Sequence, residues 1–337
     1  GHPCGGCTIS DGGLVRSRRG TPAGITTRLR MEHSAAEDLT RPAPQLRVAM
    51  NGVHWIAVPG WERMKWLWHG FSTRQGGVSH AYSAEGGPGE LNLGFTAADD
   101  REAVIRNREL LVEAITGSAR TPLRLVRQFH SNLVLDAGEE CGAHPCRGDG
   151  LITDKPGILL AVQTADCIPV LVADKKKHVV GAFHAGWRGT VQRIVENGVG
   201  RMRLLYGSQP GDLVAAIGPG SGACCYAVGE EVLSAFESQF AYVHSLFQEV
   251  FDSDPVRKRY PMLCLTQRAP GHSPIGPQPH LDLIEANRRQ LLDAGLSPRA
   301  IQVTGGCTQC DRDLFFSHRS SSGHAGRMMS VIGIRAR

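Results

Sequence analysis

Residues 150–189 read GLITDKPGILLAVQTADCIPVLVADKKKHVVGAFHAGWRG. Four apolar runs, 150–153, 157–164, 168–173 and 179–184, alternate with Asp, Lys, Pro and Gly breakers. Short runs rich in Val, Ile and Leu and bounded by turn formers mark buried strands. Working outward, 123–128 and 214–217 add strands, and 66–71 and 91–94 two more. Residues 72–79 read as a glycine-bearing loop with one arginine, and the C-terminus alternates strand and turn. Residues 99–116 read as a helix: Asp99 or Asp100 caps it, and Val104, Leu110, Leu111 and Ile115 share a face. Further helices are expected over 190–206, 230–238 and 282–294. Short strands with segregated helices predict an α+β fold with mixed sheets.

The bulk numbers narrow the function classes. A chain of 337 residues suffices for one large domain or two smaller ones, and 41% hydrophobic residues sustain a core. The 41 Gly and 19 Pro favour turns and short strands over helical bundles. The longest apolar stretch, around 158–162, ends at Gln163, far short of the roughly 18 residues of a membrane helix. The net charge of +5 is dispersed, and Lys175-Lys176-Lys177 follows Asp174 where a turn is expected. Neither nucleic acid nor a membrane is therefore an expected partner. Ten cysteines at irregular spacing, without a secretory signal, predict a mostly reduced, cytoplasmic protein. Residues 1–45 lack periodicity and read as a disordered extension carrying an incidental Cys4-Gly-Gly-Cys7 pair. Residues 46–337 are expected to form a single catalytic domain. Within it, 251–279 is rich in Pro, Gly and basic residues and reads as a loop insertion.

Three segments each put a metal-capable residue where a strand pattern ends: Gln128-Phe-His130, Ala165-Asp-Cys167 and His184-Ala-Gly-Trp-Arg-Gly189. Two imidazoles and a thiolate suit a catalytic Zn²⁺, which keeps its fourth position for water or substrate. The separations of 37 and 17 residues match no compact zinc finger. Taken singly, each histidine reads equally as a hydrogen-bonded structural residue and Cys167 as a small buried hydrophobe. The neighbours carry the argument: one sharp turn holds an imidazole, a bulky aromatic and a guanidinium together.

The sequence resembles the YfiH family, once labelled multicopper polyphenol oxidase or laccase-domain and later recognised as purine nucleoside phosphorylase. The resemblance runs from about Gly70 to the C-terminus. It is carried by Ser72-Thr-Arg-x-Gly-Gly-Val-Ser79, Leu91-Asn-Leu-Gly94, Gln128-x-His130, Gly148-Asp-Gly150, Thr164-Ala-Asp-Cys167 and His184-Ala-Gly-Trp-Arg-Gly189. Further matches are Ile217-Gly-Pro219, Cys225-Tyr226-x-Val-Gly229, Cys307-Thr308, Phe316-Ser-His-Arg319 and Gly326-Arg327. The resemblance implies zinc on His130, Cys167 and His184, a mixed β-sandwich flanked by helices, phosphorolysis of purine nucleosides and hydrolytic deamination of adenosine. It also implies a related bacterial role, editing of peptidoglycan precursors. Residues 1–45 and 251–279 exceed the compact bacterial pattern, and the second departure bears on the pocket rim.

Phosphorolysis needs an anion held beside the glycosidic carbon, which arginine forks suit. Arg74 and Arg188 are the first candidates, Arg319 and Arg327 the second; any of them could equally form a surface ion pair. Deamination needs a proton shuttle, for which Asp149, Asp166 and His318 are candidates. Asp149 could instead serve its Gly-Asp-Gly turn, and Asp166 could orient a ligand. Cys307 reads as a packed residue near the site. Purine nucleoside and phosphate are thus the expected substrates. The competing readings are a hydrolase editing peptidoglycan precursors, and a cysteine hydrolase with Cys167 as nucleophile and His184 or His130 as base. Copper suits a His₂Cys set, but none of the 14 histidines forms the His-x-His pairs that multicopper oxidases use. A non-catalytic binding module would leave the triad and its arginines unexplained. The sequence leaves the oligomeric state open.

Overall fold

In the computed structural model, which describes residues 45–138, 146–250 and 278–336, the apolar runs become strands packed in two layers. In chain order the strands are β1 (Gln45–Val48), β2 (His54–Ala57), β3 (Leu67–Ser72), β4 (Gln75–Ser79), β5 (Leu123–Arg124), β6 (Val134–Asp136), β7 (Gly150–Thr153) and β8 (Leu159–Thr164). They continue with β9 (Ile168–Asp174), β10 (Val180–Ala185), β11 (Leu213–Ile217), β12 (Phe247–Val250), β13 (Gln278–Leu281), β14 (Ile301–Val303) and β15 (Met328–Ile334). The helices are α1 (Arg101–Thr116), α2 (Trp187–Val191), α3 (Ile194–Tyr206), α4 (Glu230–Glu237) and α5 (Leu283–Asp293). One six-stranded sheet runs β1-β2-β3-β15-β8-β5 and the other β14-β11-β9-β10-β7-β6, with β12 and β13 paired apart. Neighbours are antiparallel except β5/β8, β6/β7 and β11/β14, so both large sheets are mixed.

Side-chain alternation builds three cores from these strands. On β8, Leu160 and Val162 face the space between the sheets, where they join Leu171 and Ala173 of β9 and Val180 and Ala182 of β10. Leu159 and Ala161 point the other way, onto Val104-bearing α1 through Leu110, Leu111 and Ile115. On the second sheet, Val170, Val172, Phe183 and Ala185 face α3 and α5, packing on Val195, Val199, Met202, Leu283 and Ile284. The fold is α+β: a mixed β-sandwich with α1 on one face and α2–α5 on the other.

Several expectations shift at the boundaries. Asp100 caps α1, accepting from the Ala103 N–H at 3.2 Å. The expected helix over 190–206 is two helices, because Arg193 adopts a left-handed conformation at φ 62° and breaks the ladder. The expected loop over 72–79 contains strand β4, whose glycines let the backbone lie against residues 90–91. Residues 91–94 are not a strand; Asn92 and Asn107 side chains take up their backbone groups instead. The 123–128 run shortens to β5, and β1, β2 and β6 had no clear sequence signal. Residues 1–44 of the expected extension lie outside the described residues, as do 251–277 of the expected insertion. Its last two residues, Gln278 and Pro279, begin β13.

Candidate metal centre

His130, Cys167 and His184 come together at one end of the sandwich, their ligand atoms all within 4.8 Å of one another. His184 is the penultimate residue of β10, on the same side of the strand as Val180 and Ala182. Cys167 occupies the turn from β8 to β9, and His130 lies in the irregular segment between β5 and β6. The Cys167 Sγ lies 3.7 Å from His130 Nε2, and the two imidazoles meet edge to face with centroids 5.0 Å apart.

Asp149 organises this cluster. Its buried carboxylate accepts the Phe129, His130 and Ser131 backbone N–H groups at 3.3, 3.0 and 2.7 Å, and the Ser131 hydroxyl at 2.7 Å. Successive N–H groups converging on one anion form a nest. This nest holds His130 at φ 63°, a conformation rarely adopted outside glycine. The Asp149 Oδ1 also accepts the His184 Nδ1–H at 2.8 Å. With a proton on Nδ1, His184 turns its Nε2 toward Cys167, the nitrogen on which a metal ion would replace a proton. Burial alone would raise the Asp149 carboxyl, but the His184 and Ser131 hydrogen bonds outweigh it and hold it well below the usual carboxylate range.

The electrostatics of the other two groups follow. Burial disfavours the Cys167 thiolate, yet His184 and His130 overcome that and bring the thiol down to about 6. Burial likewise disfavours a charged His184, yet Cys167 and Asp149 raise it to about 9. Two imidazole nitrogens and an easily ionised sulfur are the donors a divalent ion with an open coordination position requires. Gly186 keeps the space: a Cβ there would lie 2.7 Å from His130 Cδ2 and 3.0 Å from Cys167 Sγ. The residues present fit such an ion.

Asp166 sits beside Cys167 at φ 92° and is buried. Its carboxylate accepts the Thr308 hydroxyl at 2.7 Å and the Arg319 N–H at 2.8 Å, and its carbonyl accepts the Ser221 N–H at 2.7 Å. Arg319 lies over the Tyr226 ring at 4.5 Å and donates to the Ala227 carbonyl. Burial pushes Tyr226 up to about 12, with Cys167 and Asp166 adding to the rise and Arg319 and Arg188 opposing it. Arg188, exposed in the first turn of α2, stacks on Trp187 at 4.3 Å. His318 is exposed, one residue before Arg319, and its carbonyl accepts the Gly323 N–H.

The other two arginines have partners of their own. Arg74 pairs with Glu90 at 2.6 Å, donates to the Arg312 and Tyr82 carbonyls and lies over Phe316. It lines a cavity of about 500 Å³ with His54, Gln75 and Asp313. Arg327 donates to the Ala325 and Gly326 carbonyls. The sequence assigns no role to Ser131 or Thr308, which hold the two aspartates. Each directly follows a candidate residue, His130 and Cys307, and that adjacency was the available signal.

Residues 68–335 match the family model described as multi-copper polyphenol oxidoreductase laccase. Purine nucleoside phosphorylase YlmD of Bacillus subtilis is 34% identical over 275 residues, covering 79% of this chain and 88% of the relative. A protein named adenosine deaminase RL5, from an unknown prokaryotic organism, is 32% identical over 274 residues, 78% of this chain and 92% of the relative. The crystal structure of YlmD from Geobacillus stearothermophilus superposes with a TM-score of 0.69 at 31% identity, covering 87% of this chain and all of that one. Sequence and fold agree over the segment that carries the triad, and this chain belongs to the laccase-like family of YlmD and YfiH.

Proposed function

We propose that this protein is a zinc enzyme that cleaves purine nucleosides with phosphate and deaminates adenosine by hydrolysis. The observation that carries the reading is the triad itself: His130, Cys167 and His184 converge, with Asp149 fixing both histidines. Relatives named purine nucleoside phosphorylase and adenosine deaminase supply the substrate class. A zinc ion held by these three residues would keep one position open and supply Lewis acidity toward water or a substrate oxygen. Asp149 keeps the proton of His184 on Nδ1. Asp166 fixes the segment that carries Cys167 and, through its backbone contact, Arg319. Asp149 is saturated with donors, and each oxygen of Asp166 is held by one, so we assign both to positioning. Proton transfer falls to His318, exposed beside Arg319. Arg188, four residues after the ligand His184, and Arg319, whose backbone N–H is held by Asp166, are assigned to the phosphate. Arg74 and Arg327 frame the neighbouring loops.

A second reading has its own observation. Without metal, the lowered Cys167 and the raised His184 form a thiolate–imidazolium pair, His184 having taken the thiol proton as base, with Asp149 behind it as orienter. One experiment separates the two. The protein is purified without added metal and incubated with adenosine and phosphate beside His184→Ala. Bound zinc with release of adenine or inosine, the activity lost in the variant, supports the zinc enzyme. Zinc without nucleoside turnover would move the substrate toward peptidoglycan precursors. Activity that zinc blocks and thiol alkylation abolishes would replace the zinc reading with the cysteine hydrolase.

A further inference from the structure

A second group of metal-capable side chains stands apart from the triad. Cys224, Cys225, Cys307 and Cys310 place their four sulfurs within 4.8 Å of one another. Cys310 Sγ lies 3.6 Å from Cys224 Sγ and 3.4 Å from Cys225 Sγ. A tetrahedral ion with metal–sulfur bonds of about 2.3 Å separates its sulfurs by roughly 3.8 Å, so the observed spacing is that of one shared ion. It is too tight to enclose a multi-iron cluster. All four cysteines are free thiols.

The surrounding backbone is arranged as in thiolate metal sites. Cys307-Thr-Gln-Cys310 is a C-x-x-C turn, closed by the Cys310 and Asp311 N–H groups on the Cys307 carbonyl at 3.2 and 3.0 Å. The Gly222 N–H donates to the Cys307 sulfur at 3.3 Å. Such N–H···S bonds favour a thiolate. The two segments are joined directly, because the Thr308 N–H donates to the Gly220 carbonyl at 3.0 Å. The Gln309 amide bridges to the Ser221 hydroxyl and to the Cys225 carbonyl.

We propose that Cys224, Cys225, Cys307 and Cys310 form a second, structural centre that binds one soft divalent ion, Zn²⁺, as a tetrathiolate. A closed set of four thiolates leaves no position for substrate, so its role is to clamp residues 220–226 to residues 304–311. Both segments contact Asp166, through Ser221 and Thr308, so the clamp braces the turn carrying Cys167. This assignment is independent of which reaction the triad performs.

The test is metal stoichiometry on the full chain, purified under reducing conditions and loaded with zinc, then desalted. The expected content is about two zinc ions per chain. Cys310→Ser and His184→Ala should each remove about one, and the double variant both. Cobalt loading reads the site without relying on Cys310→Ser to fold. Wild-type and His184→Ala proteins should show the intense sulfur-to-cobalt charge-transfer and d–d bands of a tetrathiolate site. In the wild-type chain, zinc should also shield all four thiols from alkylation. One zinc per chain with these thiols freely alkylated, or a disulfide between Cys310 and Cys224 or Cys225 under those conditions, would overturn the proposal.

Discussion

At the residue scale, the candidate centre depends on atoms that are absent as much as on those present. Gly186 has an extended backbone, so its identity is not required by conformation. It is required by space, because His130 Cδ2 and Cys167 Sγ occupy the volume a Cβ would take. Gly186→Ala should therefore push two ligands apart with little change to the fold. We expect metal affinity at the triad to fall at least 10-fold, the scale of lost ligand orientation, while thermal unfolding stays cooperative. Competition with a chromogenic chelator measures the first and calorimetry the second; unchanged affinity would show that the ligands do not close on this side. The three ligand candidates were legible because each belongs to a short, unusual string of residues. The tetracysteine group was not. Cys307 looked like a packed residue, since its partners Cys224 and Cys225 lie more than 80 positions away and only the fold joins the two segments.

At the scale of elements, β10 transmits packing directly to the site, because Phe183 precedes His184. The Phe183 ring lies on Gly198 of α3, where a Cβ would approach it to 2.3 Å. Gly198→Ala improves helix propensity by about 1 kcal/mol, yet the clash should win. Overpacking of this kind costs about 1–3 kcal/mol, so we expect a net loss in urea unfolding and a weakened metal site. A stabilised variant would mean the ring moves away freely. On β3, His69 is buried against Trp55 and Trp61, and burial, aided by Arg335 and Arg47 and opposed by Glu62, lowers it to about 4. A histidine depressed in the folded state binds fewer protons than in the unfolded chain. Its contribution is complete above about pH 6.5 and is lost as pH falls toward 4, by up to roughly 3 kcal/mol. His69→Phe should flatten that acid limb in unfolding measured across the window; an unchanged slope would assign the limb to other groups. The element pattern was legible wherever alternation or a cap was strong, as in β8, β10 and α1. It failed where one residue overrides the pattern, as Arg193 does between α2 and α3.

At the scale of the whole molecule, the question is whether the triad holds the fold or the fold holds the triad. The three cores are closed by aliphatic and aromatic side chains, and Cys167 belongs to none of them. His130 is exposed, and its nest is made by backbone N–H groups that any residue supplies. The sandwich should therefore survive loss of the triad's metal, unlike small domains whose folding energy comes from the ion. His130→Asn tests this with the least collateral strain, because asparagine tolerates the left-handed backbone better than most residues. An ion bound only by the native state, at about 1,000 times its dissociation constant, adds roughly 4 kcal/mol. In a domain this large that is worth on the order of 10 °C of melting temperature. The variant should lose that increment, melt in a single transition and, once both proteins are stripped of all metal, match wild type to within a few degrees. Its circular dichroism should be that of the parent. If instead it fails to fold, the centre would be part of the framework, and the strands would owe their order to the ion they surround.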